Sequence, residues 1–292
     1  MTDDKPGSAS LVLGGGGVAG IAWMTGVLHG LQQAGVEVAG FERVIGTSAG
    51  AAVAAQLHSG LPLAQLFQRQ VDPAQQVAEL VPTISKFRLL LRLLPALLAR
   101  KDPQRFRQRV GAAALKASSV DPAARYRVIE QRLPAREWPA VQLDIVVVDA
   151  ASGDMVVFNR DAGVSLTDAV AASCAVPGIW PPVRINDTDY IDGGLRSATN
   201  ADLAAGAASV VVLAPMGYQS FLNTGSHLRE EVAGLEAAGT RVLVIVPDQQ
   251  AKQAIGANPL DPATRAPAAQ AGQQQAAMIA GEVARFLGAP AQ

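Results

Sequence analysis

An α/β fold with a mostly parallel sheet is what this sequence predicts, and three observations predict it. Short apolar strands alternate with helical stretches along the chain, the order that layered α/β domains require. Residues 141–148 are almost continuously apolar, as in a parallel strand covered on both faces. The 292 residues are 49% hydrophobic and only 17% charged, so a large buried core is possible and general disorder is not expected.

The elements follow in chain order. Residues 11–13 form a short buried strand that runs into the glycines Gly14 to Gly17. Over 20–33, Ile21, Met24, Leu28 and Leu31 recur on one helical face. Residues 43–46 are a second strand, and the alanine-rich stretch 49–58 is a buried helix. From 62 to 132 there are helical stretches and no strand signal, which predicts a helical cap inserted into a core of about 11–215. Residues 155–158 are another strand, 166–174 a helix that stops before Pro177, and 183–191 a hairpin around Asn186-Asp187-Thr188-Asp189. Buried strands at 210–213 and 242–246 precede a mostly helical tail, giving a C-terminal strand and helix over about 240–288. One domain spanning 1–292 is expected.

Charge and composition exclude several classes. The net charge is −1, which gives no electrostatic basis for binding nucleic acid. Cys174 is the single cysteine, so no internal disulfide can form, as in a reducing, cytoplasmic setting. The first ten residues lack the basic start and apolar run of a signal peptide, and no stretch of about 18 uninterrupted apolar residues predicts a membrane span. No clustered metal-ligand spacing occurs, so neither a metal nor an organic cofactor is expected.

Gly46-Thr47-Ser48-Ala49-Gly50 lies between a strand and a helix, the context in which G-x-S-x-G forms a nucleophile elbow. The glycines Gly46 and Gly50 would let the turn pass close to its neighbours and push Ser48 out at a helix N-terminus. There the helix dipole favours developing negative charge. Taken alone, the same pattern fits a helix-capping serine flanked by small residues.

A second glycine-rich turn, Gly14-Gly15-Gly16-Gly17-Val18-Ala19-Gly20, also joins a strand to a helix. Gly15, Gly17 and Gly20 satisfy G-x-G-x-x-G, so a dinucleotide site is one reading. That reading wants an acidic residue at the end of the second strand, where this chain has the serine elbow. Glu37 and Glu42 lie at the wrong end. The other reading is an oxyanion hole, with Gly15, Gly16, Gly17 and Gly20 as its candidate residues.

A nucleophilic serine needs a base within hydrogen-bond reach. His58 lies about 15 Å along the same helix from Ser48, and His29 about 13 Å along the helix beyond Gly20. His227 sits in a polar stretch with nothing to place it near Ser48. A carboxylate of ordinary pKa, about 3.9, would already be ionised at neutral pH. Asp192, in Asp192-Gly193-Gly194, follows the hairpin and precedes an expected helix. Asp149, at the end of the 141–148 strand, is the second candidate. Either could equally be a turn aspartate.

These motifs, in this order, resemble the patatin-like phospholipase family. The likeness extends to Ala172-Ser173-Cys174-Ala175-Val176-Pro177 and covers about 11–212. It implies a three-layer α/β/α sandwich and hydrolysis of acyl esters of lipids by a Ser–Asp dyad, with an acyl-serine intermediate. Ser48 would be nucleophile, Asp192 base, and the N–H groups around Gly16 and Gly17 the oxyanion hole. The motif glycines Gly193 and Gly194 follow the aspartate. An acyltransferase using the same dyad, a nucleotide-binding protein using the glycine loop and a silent lipid-binding member are the alternatives. One departure stands out: the family usually has Arg or Lys where this chain has Ala19, which leaves the preferred lipid open.

The run 86–101 is leucine-rich and basic, with Arg88 and Arg92 on one helical face. It reads either as a lid or interfacial helix, making peripheral membrane contact, or as a core helix of the cap with its arginines at the rim.

Overall fold

The computed structural model describes residues 8–80, 94, 96–116, 120–218 and 228–288. The chain begins with β1 (Ala9–Leu13), α1 (Gly17–Gln33), β2 (Arg43–Thr47), α2 (Ala49–Leu57) and α3 (Leu63–Val71). Two further helices, α4 (Pro103–Leu115) and α5 (Pro122–Arg132), lie in the stretch without strand signal. Then come β3 (Gln142–Asp149), β4 (Met155–Phe158), α6 (Leu166–Ser173), β5 (Val183–Ile185) and β6 (Thr188–Asp192). The last elements are β7 (Ser209–Leu213), α7 (Leu228–Ala237), β8 (Arg241–Ile245), α8 (Gln249–Ile255) and α9 (Arg265–Phe286).

One sheet follows the path β5-β6-β3-β2-β1-β7-β8, with β4 beside β3. The pairs among β3, β2, β1, β7 and β8 are parallel, and β4, β5 and β6 join antiparallel. Alternation within the strands separates two faces. Leu11 and Leu13 of β1, with Leu143, Ile145 and Val147 of β3, pack into the cluster that holds α1, α2, α3 and α9. Val12, Ile45, Val146, Val210 and Val212 face the other way, toward Leu228 and Leu235 of α7. The fold is therefore a mixed α/β layer structure, a mostly parallel sheet with helices on both faces.

The edges of β3 fix the geometry that matters most. Ile145 to Val148 pair with β4, while Arg43 to Thr47 pair with Gln142 to Val146 and Tyr190 to Asp192 pair with Asp149 to Val147. Since a strand has two edges and β4 fills one, β2 and β6 occupy the other in succession. Thr47 sits opposite Val146, and Asp192 opposite the next residue, Val147.

Local turn chemistry explains the hairpin. Asn186 and Asp187 both have positive φ, 46° and 66°, the two-residue turn whose twist suits flanking antiparallel strands. After Asp192 the structure corrects the sequence reading: in place of a helix there is one short 3-10 turn, Gly193–Leu195. The side-chain amide of Asn200 donates to the carbonyls of Gly193 and Ser197 and so ties down the segment that follows.

Of the leucine-rich run, only Leu94 and 96–101 are among the described residues. Ala96 and Ala99 pack on Phe106 and Val110 of α4, whereas Leu94 and Leu98 are exposed. Arg88, Arg92 and His227 lie outside the described residues. No helix among the described residues is long and apolar enough to cross a membrane.

Candidate active site

The turn from β2 into α2 is as tight as the glycine spacing predicts. Ser48 sits between them with φ 53° and ψ −115°, a backbone conformation costly for any residue with a side chain. A Cβ on Gly46 would lie 2.6 Å from the Ala51 Cα, and one on Gly50 would overlap the Leu13 carbonyl oxygen. Both positions therefore exclude side chains by close approach of backbone. The strain is held in place by the packed strand on one side and the buried α2 on the other.

Hydrogen bonds then fix Ser48 from behind. Its backbone N–H donates to the Ser173 hydroxyl at 2.9 Å, and that hydroxyl donates to the Val146 carbonyl at 2.7 Å. The Cys174 thiol donates to the Ser48 carbonyl at 3.3 Å. One residue earlier, Thr47 accepts from the Asn200 side chain at 3.0 Å and donates to the Thr199 carbonyl at 3.3 Å.

Asp192 ends β6 in the sheet interior, with its N–H on the Ala175 carbonyl at 3.0 Å. Its Oδ1 accepts the Gly194 N–H at 2.7 Å. The carboxyl is buried, and burial pushes its pKa up to about 6. Hydrogen bonding from the Ser48 side chain and from Gly194, with the charge of Arg125, pulls the other way without cancelling the burial. The sequence expectation of an ordinary carboxylate fails here because the sheet buries the group. A Cβ on Gly193 would run into the Val146 carbonyl, so only glycine lets the chain turn away at once.

Asp149 has a different environment. Its Oδ1 accepts the N–H groups of Ala151 at 2.7 Å and Ser152 at 3.1 Å, so the carboxylate closes its own turn. His29 is buried and stacks on Phe67 at 4.8 Å between ring centroids. His58 caps the far end of α2.

Within the glycine loop the N–H groups divide. Gly15 donates to the Ala198 carbonyl at 2.7 Å, and Gly20 donates to the Gly16 carbonyl at 2.8 Å. These two cannot present their N–H groups to an oxyanion, which corrects their assignment as donors; they shape the loop instead. Among the described residues, the N–H groups of Gly16 and Gly17 have no protein acceptor. Gly17 lies at φ 63° and lines the same cleft as Ser48.

That cleft is also lined by Val18, Ile21, Glu79, Leu80, Arg125, Arg132, Cys174, Val176, Trp180 and Leu260. Its charged groups belong to one buried cluster. Glu79 Oε1 meets Arg132 and Arg265, both at 2.7 Å, and its Oε2 lies 3.9 Å from Arg125. The Arg125 guanidinium stacks over the Trp180 ring at 4.0 Å.

The family model for patatin-like phospholipase matches residues 11–205. The chain belongs to this family. Two solved structures are similar in outline. VipD from Legionella pneumophila is 14% identical with a TM-score of 0.46, over 95% of this chain and 67% of that one. The type III effector protein ExoU is 20% identical with a TM-score of 0.35, over 94% of this chain and 54% of that one. Comparison with curated proteins gives no match.

Within the patatin-like region, two features around Ser48 are not legible in the sequence motifs. The first is Ser173, visible only as part of a resembling segment; its signal was a serine buried in the apolar run Ala169 to Cys174. The second is the pair Arg125 and Arg132, seven apart on α5 and so on one face, beside the buried Val128 and Ile129. Ala19 is fully buried in the core, with its N–H on the Pro259 carbonyl at 3.0 Å. The positive charge beside the serine comes from the helical insertion, not from the glycine loop.

Proposed function

We propose that this patatin-like protein is a serine acyl hydrolase that cleaves carboxylic esters of lipids through an acyl-serine intermediate. Ser48 is the nucleophile and Asp192 its base. What carries the reading is the meeting of two elements on one edge of β3, where a strained serine lies beside a buried aspartate whose pKa its side chain helps to lower.

In this scheme Asp192 takes the Ser48 proton as the oxygen attacks the ester carbonyl. The N–H groups of Gly16 and Gly17 meet the oxyanion, without giving up any bond they already make. The alcohol leaves with the proton from Asp192. Asp192 then activates water against the acyl-serine. A base at about pKa 6 is mostly ionised at pH 7 to 8 yet more basic than a free aspartate, which suits proton transfer near neutral pH.

The test is hydrolysis of p-nitrophenyl esters over several chain lengths by wild type, Ser48→Ala, Asp192→Asn and Asp149→Asn. The scheme expects the first two variants to lose at least ~1000-fold in kcat/KM and Asp149→Asn to keep most of it. Full activity in Ser48→Ala overturns the nucleophile. A dead Asp149→Asn beside an active Asp192→Asn overturns the base. Product analysis with added glycerol separates hydrolysis from acyl transfer.

A further inference from the structure

A carboxyl taken out of water costs free energy unless hydrogen-bond donors meet its oxygens. Glu231, in α7, is such a group. It is 3% exposed, and burial pushes its pKa up. Among the described residues no cation forms an ion pair with it. Arg196, whose charge it influences, is held by Asp202 at 2.9 and 2.5 Å. The Glu231 Oε2 instead accepts the Thr199 hydroxyl at 2.7 Å and the Ala201 N–H at 3.0 Å.

Both donors belong to the segment Ser197 to Ala201, where Ser197, Thr199, Asn200 and Ala201 are buried. Asn200 lies at φ 52°, in the left-handed region. Irregular backbone away from water must find partners for its polar groups. The Ser197 hydroxyl accepts the N–H groups of Thr199 and Asn200 at 3.2 and 3.1 Å, and Glu231 holds the segment from outside.

This segment touches both halves of the candidate site. Its Ala198 carbonyl takes the Gly15 N–H at 2.7 Å. A Cβ on Gly14 would lie 3.1 Å from that carbonyl oxygen, and one on Gly15 would lie 3.5 Å from the Ser48 Cβ. On the elbow side, the Asn200 amide donates to the Thr47 hydroxyl at 3.0 Å, and that hydroxyl donates to the Thr199 carbonyl at 3.3 Å. Glu231 is thus linked through one short segment to the glycine loop and to the residue before Ser48.

We propose that Glu231, from a helix outside the patatin-like region, is a positioning residue for the chemistry at Ser48. By anchoring Thr199 and Ala201 it fixes the Ala198 carbonyl and the Asn200 amide. These in turn set the Ser48 elbow against the loop that carries the N–H groups of Gly16 and Gly17. A misplacement of about 1 Å between reacting groups costs on the order of 100-fold in rate. Glu231 does not line the cleft of Ser48, so its effect belongs in kcat and not in KM. The inference rests on the acyl-hydrolase reading for its reaction, and on hydrogen bonds alone for the anchoring.

The experiment uses the full chain with Glu231→Gln, Glu231→Met and Thr199→Val. Glutamine keeps one oxygen for both donors, methionine keeps the length without a strong acceptor, and valine removes the Thr199 donor. On a soluble p-nitrophenyl ester, Glu231→Met should lose about 100-fold in kcat with KM changed by less than about 3-fold. Thr199→Val should lose about 10-fold, and Glu231→Gln should stay within about 3-fold of wild type. Labelling by a fluorophosphonate gives a readout free of turnover: the Ser48 oxygen bonds to phosphorus, fluoride leaves and Asp192 takes the proton. Its rate per folded molecule should fall in the same order. Wild-type kcat and labelling in folded Glu231→Met overturn the inference, and so does a Glu231→Gln as slow as Glu231→Met. Where Glu231→Met does not fold, wild-type rates in Thr199→Val overturn it. If wild type neither hydrolyses an ester nor labels at Ser48, the acyl-hydrolase reading fails. Amide hydrogen exchange then decides Glu231 by itself. Faster exchange over residues 15–20 and 47–50 in Glu231→Met, restored in Glu231→Gln, supports the anchoring, and unchanged exchange overturns it.

Discussion

The hydroxyl of Ser173 accepts a hydrogen bond from the backbone N–H of Ser48 at 2.9 Å and donates one to the Val146 carbonyl at 2.7 Å. One side chain from α6 thus ties the elbow to the central strand, at a fully buried point. Ser173→Ala would leave a buried donor and a buried acceptor unpaired, costing about 1–3 kcal/mol. As a positioning residue it should lower kcat by about 10-fold with little change in KM, since the nucleophile loses orientation and the cleft does not change. Steady-state kinetics with a soluble ester, alongside urea unfolding, reads both effects.

Asp192 should give activity and stability opposite dependences on pH. The folded protein holds the carboxyl protonated up to about 6, against an ordinary value of 3.8. Its contribution to stability is therefore complete below 3.8 and is lost as pH rises through 6. At pH 8 the ionised, buried group costs about 3 kcal/mol. Asp192→Asn should melt higher than wild type at pH 8, and that gain should vanish by pH 4. Wild-type kcat/KM should fall to half near pH 6 on the acid side. Thermal melts and a pH–rate profile check the two halves.

Ser48 stores strain of its own. At φ 53° and ψ −115° a side chain costs about 1–3 kcal/mol, a cost glycine avoids. Ser48→Gly should be inactive and more stable than Ser48→Ala by about 1 kcal/mol, offset in part by the entropy glycine gains on unfolding. Chemical denaturation of the two variants side by side measures the difference.

Glu79 is the hub of the charge cluster. Glu79→Gln keeps the shape but leaves Arg125, Arg132 and Arg265 buried without their shared carboxylate. Breaking a buried ion pair by removing one partner costs about 3–5 kcal/mol. The variant should melt markedly lower than wild type, and added salt should recover little of the loss, because the guanidinium groups are buried; thermal melts at low and high ionic strength check both.

The sequence by itself determined the parts whose cause is local. Apolar runs announce buried strands, and Gly46 and Gly50 announce a turn that admits no Cβ around Ser48. The polar run Asn186 to Asp189 announces a hairpin, because turn preferences act locally, while the pairing of β5 with β6 confines the turn to Asn186 and Asp187. What only the tertiary structure decided are the relations between distant segments. The edge of β3 that takes Thr47 and then Asp192 follows from the pairing of three strands, and no spacing in the sequence encodes it. The loop carbonyl at Ala198 and the first turn of α1 engage Gly15 and Gly20, separating them from Gly16 and Gly17, whose N–H groups have no acceptor among the described residues. Burial, which moves Asp192 to about pKa 6, is set by everything packed around that group. Charge, solvation and hydrogen bonding depend on neighbours in space, and the chain order names only neighbours in sequence.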